Sequence, residues 1–527
     1  MTQNKQETIP ATSSRRLISN TAWNVTALVA NALIGFWLIR FFLKELGPAR
    51  YGVWVLIGSL FRYRGIVSMG MNSALNRFIP MYLAHGDRNA AQRAISTALG
   101  LYLLMAGVLL GLTAILNVYV GIWFVIPQDL VPTAQHLVVV VGLGFAIVLP
   151  LQLATAVLSG SQRYDLVNSV ILGTLLIRTA ILVVLLRLGY GLLTMGILFG
   201  LSEIMIRLFH WQGARRRLPG IDLAHPCIDM TLMRQMLAYG TNTFLYVVGG
   251  VVIIKVSDLL IGASALGMEG VTQFSIAAAA VSLLAQLIQA FTKAIMPAVS
   301  DLNARHDQST VRELALLVQK YSLVIILPAV LFLTIMGKSF LVVWVGDEIG
   351  DDTTLTVMSQ ILALLAIGHG VRLAQHSNFL VLVGCGDHKI FGRLSAGTVV
   401  LVVGLSVAAL WLWQGGLLGV AWANTLPLLL VSGLILPRYA GRKLGITLKE
   451  RINRVWKPVM LGSLPGALII VLWQWLAPPP SWFHIGAVVV VVATAMLLGT
   501  WGLSLDSHER LRFKQLIFGR GAASHQT

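Results

Sequence analysis

The sequence predicts an all-α, polytopic membrane protein of about 14 transmembrane helices: two pseudo-repeated six-helix lobes followed by two further C-terminal helices. Three observations carry this expectation. Of 527 residues, 57% are hydrophobic and only 11% charged, whereas a soluble domain carries about 25% charged residues. Apolar runs of about 20 residues recur along the whole chain, each long enough to cross a hydrocarbon core roughly 30 Å thick. Finally, short motifs recur in the same order at an offset of about 220 residues. A soluble enzyme, a disordered chain and a disulfide scaffold are excluded by this composition.

Taken in order, residues 1–16 form a polar tail, and the apolar run after Arg15-Arg16 is too long for a signal peptide core. Fourteen spans start near Leu17, Tyr51, Ile95, Ala134, Leu166, Leu192, Met236, Val271, Lys320, Leu355, Phe391, Gly415, Val459 and Trp482. The ninth is expected to split at Pro328, and the fourth carries Pro150 near its end. This organisation gives an N-lobe over 17–212, a basic linker over 213–235 and a C-lobe over 236–437. A basic loop over 438–458, the last two spans over 459–504 and a basic tail over 505–527 follow.

Charge sets the orientation. With the N-terminus inside, Arg215-Arg216-Arg217, the stretch Arg438 to Lys457, the tail from Arg510 and Lys320 all fall on the cytoplasmic side. Roughly 27 Lys/Arg lie inside against about 4 outside, so both termini are cytoplasmic. The formal net charge of +18 therefore reads as contact with anionic membrane lipids rather than nucleic acid, which would need a basic patch on a soluble domain. Cys227 and Cys385 fit no redox or metal spacing and read as free thiols.

The repeat pairs Leu46-Gly47 with Leu266-Gly267, Pro80 with Pro297, and His85-Gly86-Asp87 with Arg305-His306-Asp307. It continues with Leu158-Ser159-Gly160 against Leu382-Val383-Gly384, and Gly189-Tyr190-Gly191-Leu192 against Gly415-Gly416-Leu417. Six spans per unit is even, so the units are parallel repeats, an architecture that in transporters shares a midplane site.

Ionisable groups inside a bilayer are costly and need a reason. The spans hold Arg40, Arg62, Arg64, Arg178, Arg207, Lys255, Lys293 and Arg372 against only Glu203 and Asp258. Arg40 and Arg207 lie near span ends and are expected to snorkel; Glu203 and Arg207 are also four apart, an intrahelical pair. Lys255 and Asp258, three apart, are placed to neutralise each other. Arg62, Arg64 and Arg372 have no acid on their own helix. His369 and His376 lie at i−3 and i+4 from Arg372, on one helical face. Asn24, Asn31, Asn72, Asn76, Gln286 and Gln289 continue polar stripes on spans 1, 2 and 8; interhelical hydrogen bonding is the competing reading for these. Together the stripes imply a hydrated cationic cavity between the lobes, with Arg62, Arg64, Arg372, Lys255 and Lys293 as its substrate-binding cations. Such a cavity suits an anion, and arginine offers a planar fork matched to phosphate oxygens. His369 and His376 are the candidates for proton coupling. No GxxxxGK[ST], HExxH or GxSxG occurs, Asp351-Asp352 reads as a solvated turn, and no metal or catalytic role is assigned.

Asn20-Thr21-Ala22-Trp23-Asn24, Leu46-Gly47-Pro48-Ala49-Arg50-Tyr51-Gly52-Val53-Trp54 and Gly70-Met71-Asn72-Ser73-Ala74-Leu75-Asn76-Arg77-Phe78, with the later Gly86-Asp87, point to a family. They resemble the bacterial polysaccharide-transporter (Wzx-like) flippases of the multidrug/oligosaccharidyl-lipid/polysaccharide superfamily. Where members of that family often carry an Asp before the glycine ending span 2, this chain reads Ser68-Met69-Gly70. The resemblance implies a flippase, not an enzyme. It implies a bacterial cytoplasmic (inner) membrane protein that carries polyprenyl-pyrophosphate-linked oligosaccharide units outward by alternating access, for O-antigen, capsule or exopolysaccharide. No bound cofactor is expected. A membrane potential negative inside would assist outward movement of an anion, and the choice of H+ or Na+ as coupling ion is not read from the sequence. A polysaccharide polymerase or assembly machinery is the partner to expect. A lipid II flippase, a multidrug antiporter of the same superfamily, and a membrane polymerase or ligase remain the alternatives.

Overall fold

The structure is a computed structural model describing residues 14–62, 71, 75, 78, 79, 81, 82, 85–160, 163–217, 222–292, 295–387, 389–476 and 481–504. The regular structure of the described residues is all helical, with no strand among them. In chain order the helices are α1 (Ser14–Leu46), α2 (Pro48–Arg62), α3 (Arg88–Trp123), α4 (Val131–Gly160), α5 (Tyr164–Arg187) and α6 (Leu192–Arg217). They continue with α7 (Met230–Gly262), α8 (Gly267–Thr292), α9 (Ile295–Ala304), α10 (Gln308–Ile335), α11 (Gly337–Ile349), α12 (Asp352–Ala374) and α13 (His376–Gly384). The last are α14 (Lys389–Val407), α15 (Gly416–Leu428), α16 (Leu436–Leu444), α17 (Leu448–Arg451), α18 (Lys457–Leu476) and α19 (Trp482–Gly499). Eleven described segments are long and apolar enough to cross a membrane. Helices α1 and α7, 33 residues each, are also long enough to span, and α2 supplies 15 described residues of the expected second span.

Exposure supports the membrane reading. Large apolar side chains such as Leu104, Val400, Leu468 and Val490 are more than 60% exposed; only a hydrocarbon solvent makes such surfaces favourable. The chain forms two compact units, Met1–Ser275 with Lys389–Trp413, and Ile276–His388 with Gln414–Thr527. In the first, α4 packs against α3 and α6, α5 against α1 and α6, and α7 against α14. Its core joins Ala94, Ile95, Ala98 and Tyr102 of α3 to Leu149, Leu153 and Val157 of α4. In the second, α12 packs between α10 and α15, and α18 packs on α19 and α10.

The repeat is visible in its turns. Gly86 (φ 72°) and His306 (φ 59°) both sit in the left-handed region. In each turn an N–H reaches back five residues, Asp87 to Tyr82 O at 3.0 Å and Asp307 to Leu302 O at 3.1 Å. Each aspartate then caps the next helix, Asp87 accepting from Ala90 N and Asp307 from Thr310 N. The same reach recurs from Arg163 to Leu158 O and from Asp387 to Leu382 O. Gly47 (φ 79°) and Gly267 (φ 57°), the paired Leu-Gly motifs, turn the hairpins α1–α2 and α7–α8. These positions need a residue tolerant of positive φ, and the short sequence matches mark them.

Three expectations are corrected, and the one for the cysteines holds. Helix α10 runs unbroken across Pro328, as α4 does across Pro150; each proline removes one N–H without unwinding a helix held on both sides. The break falls instead at Gln375, with no proline or glycine there. Lys320 is not at the cytoplasmic edge of its span: α10 starts at Gln308, and Lys320 is 6% exposed. The stretch 438–458, expected as a loop, is helical except around Gly445–Thr447. Cys227 and Cys385 are free thiols.

Candidate functional site

In the second unit, the interruption between α12 and α13 gathers the polar residues. Arg372 lies in the last turn of α12, where the negative end of the helix dipole favours a cation. Gln375, at the break, accepts from Asn378 Nδ2 at 2.6 Å and from Gln319 Nε2 of α10 at 3.4 Å. Gln319, Gln375 and Asn378 are all under 5% exposed, and Lys320 adjoins Gln319 on α10. His369 is buried and His376 half-buried, its ring stacked on Phe379. Interrupted helices at membrane depth are tolerated where they are enclosed by protein or line a cavity, and they commonly present helix ends to charged substrates. Gln375 itself keeps right-handed helical dihedrals (φ −93°, ψ −1°), so the turn from Arg372 to His376 stays close to helical.

The first unit holds two polar clusters. Lys255 Nζ lies 2.9 Å from Asp258 Oδ2, the expected neutralising pair, and Ser59 Oγ of α2 donates to the same oxygen at 2.8 Å. The second cluster corrects the expectation for Arg207. Rather than reaching for an interface, its Nη1 donates to Thr155 Oγ1 of α4 at 3.1 Å and its Nη2 to Glu203 at 3.4 Å. Thr155 Oγ1 lies 2.9 Å from His210 Nδ1, and His210 Nε2 lies 3.4 Å from Val167 O. A carbonyl only accepts, so Nε2 carries a proton; Thr155, already accepting from Arg207, donates to an unprotonated Nδ1. The neutral imidazole with Nε2–H thus satisfies every partner. Nearby, Arg178 donates to Ser202 Oγ, and its guanidinium stacks 4.2 Å above the Phe199 ring. The two carboxylates expected inside the spans, Glu203 and Asp258, are each engaged by one base, while Arg178, Lys320 and Arg372 add further positive charge.

Of the other expected site residues, Arg62 ends α2 and Asn24 lies in α1, but their side chains lie outside the described residues, as do Arg64, Asn72, Asn76 and Lys293 altogether. Asn31 and Gln289 are exposed, while Gln286 is half-buried with Nε2 3.5 Å from Ser282 O. Sequence reasoning missed Gln319, Lys320, Gln375 and Asn378, and also Thr155 and His210. The spacing of Arg372, Gln375 and Asn378 at i, i+3, i+6 in an apolar span was the available signal. Asp351 and Asp352 sit as a turn: Asp351 caps α12 at Thr354 N, and Asp352 pairs with Lys338 at 2.8 Å.

The model of the family described as "Polysaccharide biosynthesis protein" matches residues 46–350, more than half the chain. A curated relative is the uncharacterized membrane protein EpsK of Bacillus subtilis (strain 168), 22% identical over 475 residues, covering 86% of this chain and 87% of that protein. Among solved structures, the chain resembles an inward-facing multidrug resistance MATE family transporter of the MOP superfamily, with a TM-score of 0.66 and 15% identity over 80% of this chain and 94% of that one. It also resembles the lipid II flippase MurJ in an inward closed conformation, with a TM-score of 0.63 and 12% identity over 95% of this chain and 99% of that one. These likenesses show a fold shared with those transporters, and the long apolar helices make the chain a multi-pass membrane protein. The chain belongs to the polysaccharide biosynthesis protein family.

Proposed function

We propose that the protein flips polyprenyl-pyrophosphate-linked oligosaccharide units from the cytoplasmic to the outer face of a bacterial inner membrane, with both termini cytoplasmic. The observation that carries the reading is the interrupted helix α12–α13, with Arg372 three residues before Gln375, which gathers Gln319 and Asn378. A sugar–pyrophosphate head cannot cross hydrocarbon unaided, because burying unpaired charge is prohibitive. A fixed guanidinium supplies charge-assisted, bidentate contacts to phosphate oxygens, and neighbouring amides supply donors to sugar hydroxyls. An exporter of cationic drugs needs available carboxylates, whereas Glu203 and Asp258 are each held by a base. Arg62, Arg64 and Lys293 remain proposed further contacts.

The test is export of surface polysaccharide in a flippase-deleted strain, paired with thermal stability of each purified variant. Arg372→Gln is expected to cripple export while leaving the protein folded. Arg372→Lys is expected to restore it only in part, since a point charge loses the fork geometry. One charge-assisted hydrogen bond is worth about 1.5–3 kcal/mol, or roughly ten- to a hundred-fold in affinity. Full complementation by Arg372→Gln would overturn the role of the break.

A further inference from the structure

We propose that Ser59, Asp258 and Lys255 form a latch that holds the hairpin α1–α2 against the hairpin α7–α8, and that its release opens this seam to the outer side. The direction of opening rests on the flippase reading and the orientation it adopts; the existence of the latch does not.

The two hairpins are repeat equivalents, turned at Gly47 and Gly267, and they meet inside the first unit. Their seam is tight. A Cβ on Gly52 would lie 2.0 Å from Met268 O, and one on Gly262 would lie 2.9 Å from Leu56 Cδ1. It is also dry: Val53, Leu56 and Ile57 of α2 and Ile261 of α7 have no exposed surface. Two hydrogen bonds stitch it, Ser59 Oγ to Asp258 Oδ2 at 2.8 Å and Thr272 Oγ1 to Pro48 O at 2.7 Å, while Val125 N, just past α3, donates to Gly262 O at 2.8 Å.

A permanently closed seam of this kind has no need of a charge. Asp258 is 0% exposed, yet Oδ2 receives both Ser59 and Lys255 while Oδ1 has no hydrogen-bond partner. A buried carboxylate left partly satisfied adds little to stability, and apolar replacements of buried ion pairs are often as stable. What the arrangement offers is two states of similar cost. Lys255 is three residues from Asp258 on the same helix and 17% exposed, so it keeps the carboxylate neutralised wherever α2 goes. Ser59 belongs to α2 and leaves with it. Opening the seam therefore breaks one charge-assisted hydrogen bond without stranding a charge, the property a releasable contact requires. With the N-terminus inside, the Gly47 and Gly267 turns and Val125 all fall on the outer side.

The test uses the full-length protein in cells, with Cys227 and Cys385 replaced by serine, a reporter Leu56→Cys in the seam, and a membrane-impermeant maleimide added outside. The reporter is expected to label slowly with the latch intact and roughly ten-fold faster with Ser59→Ala, which removes one hydrogen bond and little volume. Gly52→Ala, which forces α2 off Met268, sets the rate of an open seam. A second reporter, Leu137→Cys, sits in the core of α4 with no exposed surface and is expected to stay protected throughout. Labelling of the Ser59→Ala reporter at the unmodified rate while Gly52→Ala labels fast would overturn the latch, as would both reporters rising together. Labelling needs no substrate, so either result leaves the flippase reading to its own test.

Discussion

Replacing Gly499 with alanine is expected to destabilise the last helix pair, whereas replacing Gly466 is expected to be nearly neutral. Helix α18 carries Gly462 and Gly466 four residues apart, the spacing of small residues that lets membrane helices approach closely. A Cβ on Gly499 of α19 would lie 2.2 Å from Gly462 O, 3.2 Å from Gly462 C and 3.4 Å from Pro465 Cδ. Carbon–oxygen contacts between helices normally stay at about 3.3–3.6 Å, so the backbones must part by about 1 Å. None of these atoms belongs to a side chain that can swing away. Overpacking of this kind costs about 1–3 kcal/mol, and the gain in helix propensity from glycine to alanine, about 1 kcal/mol, offsets only part of it. Parting the pair also loosens Ile470, Val488, Val492 and Met496, which pack with Met336 of the second unit. A Cβ on Gly466 would instead meet Met496 Cγ at 2.2 Å and Cε at 2.9 Å. That side chain has three rotatable bonds and can retreat, so steric cost and propensity gain roughly cancel. The assay is the fraction of purified protein that stays monodisperse after heating across a temperature series. A fall of several degrees is expected for Gly499→Ala and little change for Gly466→Ala. Equal midpoints, or the reverse order, would refute the packing argument.

Two further predictions concern the aqueous ends of the second unit. Hydrogen bonds from Thr310 and then Ser309 hold the Asp307 carboxyl below the usual carboxylate range. Its capping of α10 is therefore complete above the ordinary carboxylate pKa of about 3.9 and is lost as pH falls through the depressed native value. Hydrogen-exchange protection of the first turn of α10, corrected for intrinsic rate, is expected to stay flat from neutral pH to about 4. Asp307→Ala is expected to lose that protection at every pH; a decline between pH 7 and 5 in the unmodified protein would contradict the assignment. At the other end, Arg451 is 2% exposed and donates to Pro437 O at 2.9 Å, whereas Lys449 is exposed. Arg451→Gln is expected to lower the yield of folded protein and Lys449→Gln to leave it unchanged, read by fluorescence-detected size exclusion. Equal yields would show that the whole basic stretch acts only through its charge.

The spans and the repeat were legible because the bilayer imposes them. A run of about 20 apolar residues is a length requirement, and a Gly or His at positive φ followed by a capping Asp is a local one. Residues 308–319 were read outside the span because Gln308, Arg312, Glu313 and Gln319 interrupt their apolar residues, which put Lys320 at an edge it does not occupy. The break at Gln375 escaped notice because neither proline nor glycine marks it, while Pro328 and Pro150 marked breaks that a packed helix absorbs. At the site, the pairing of Lys255 with Asp258 follows from spacing along one helix. Ser59, 199 residues from Asp258, and Thr155, on a different helix from Arg207, are tertiary partners that no periodicity reports.

The central claim is that the protein moves a pyrophosphate-linked glycan across a bilayer, and purified protein in sealed vesicles tests it most directly. Polyprenyl-pyrophosphate-linked oligosaccharide is placed in both leaflets, and an external glycosidase reports the accessible fraction with time. The account predicts that protein-free vesicles stop near half cleavage, that protein-containing vesicles pass well beyond it, and that Arg372→Gln vesicles do so slowly. Cleavage that stops near half with folded protein present, while the same vesicles transport an organic cation, would contradict it.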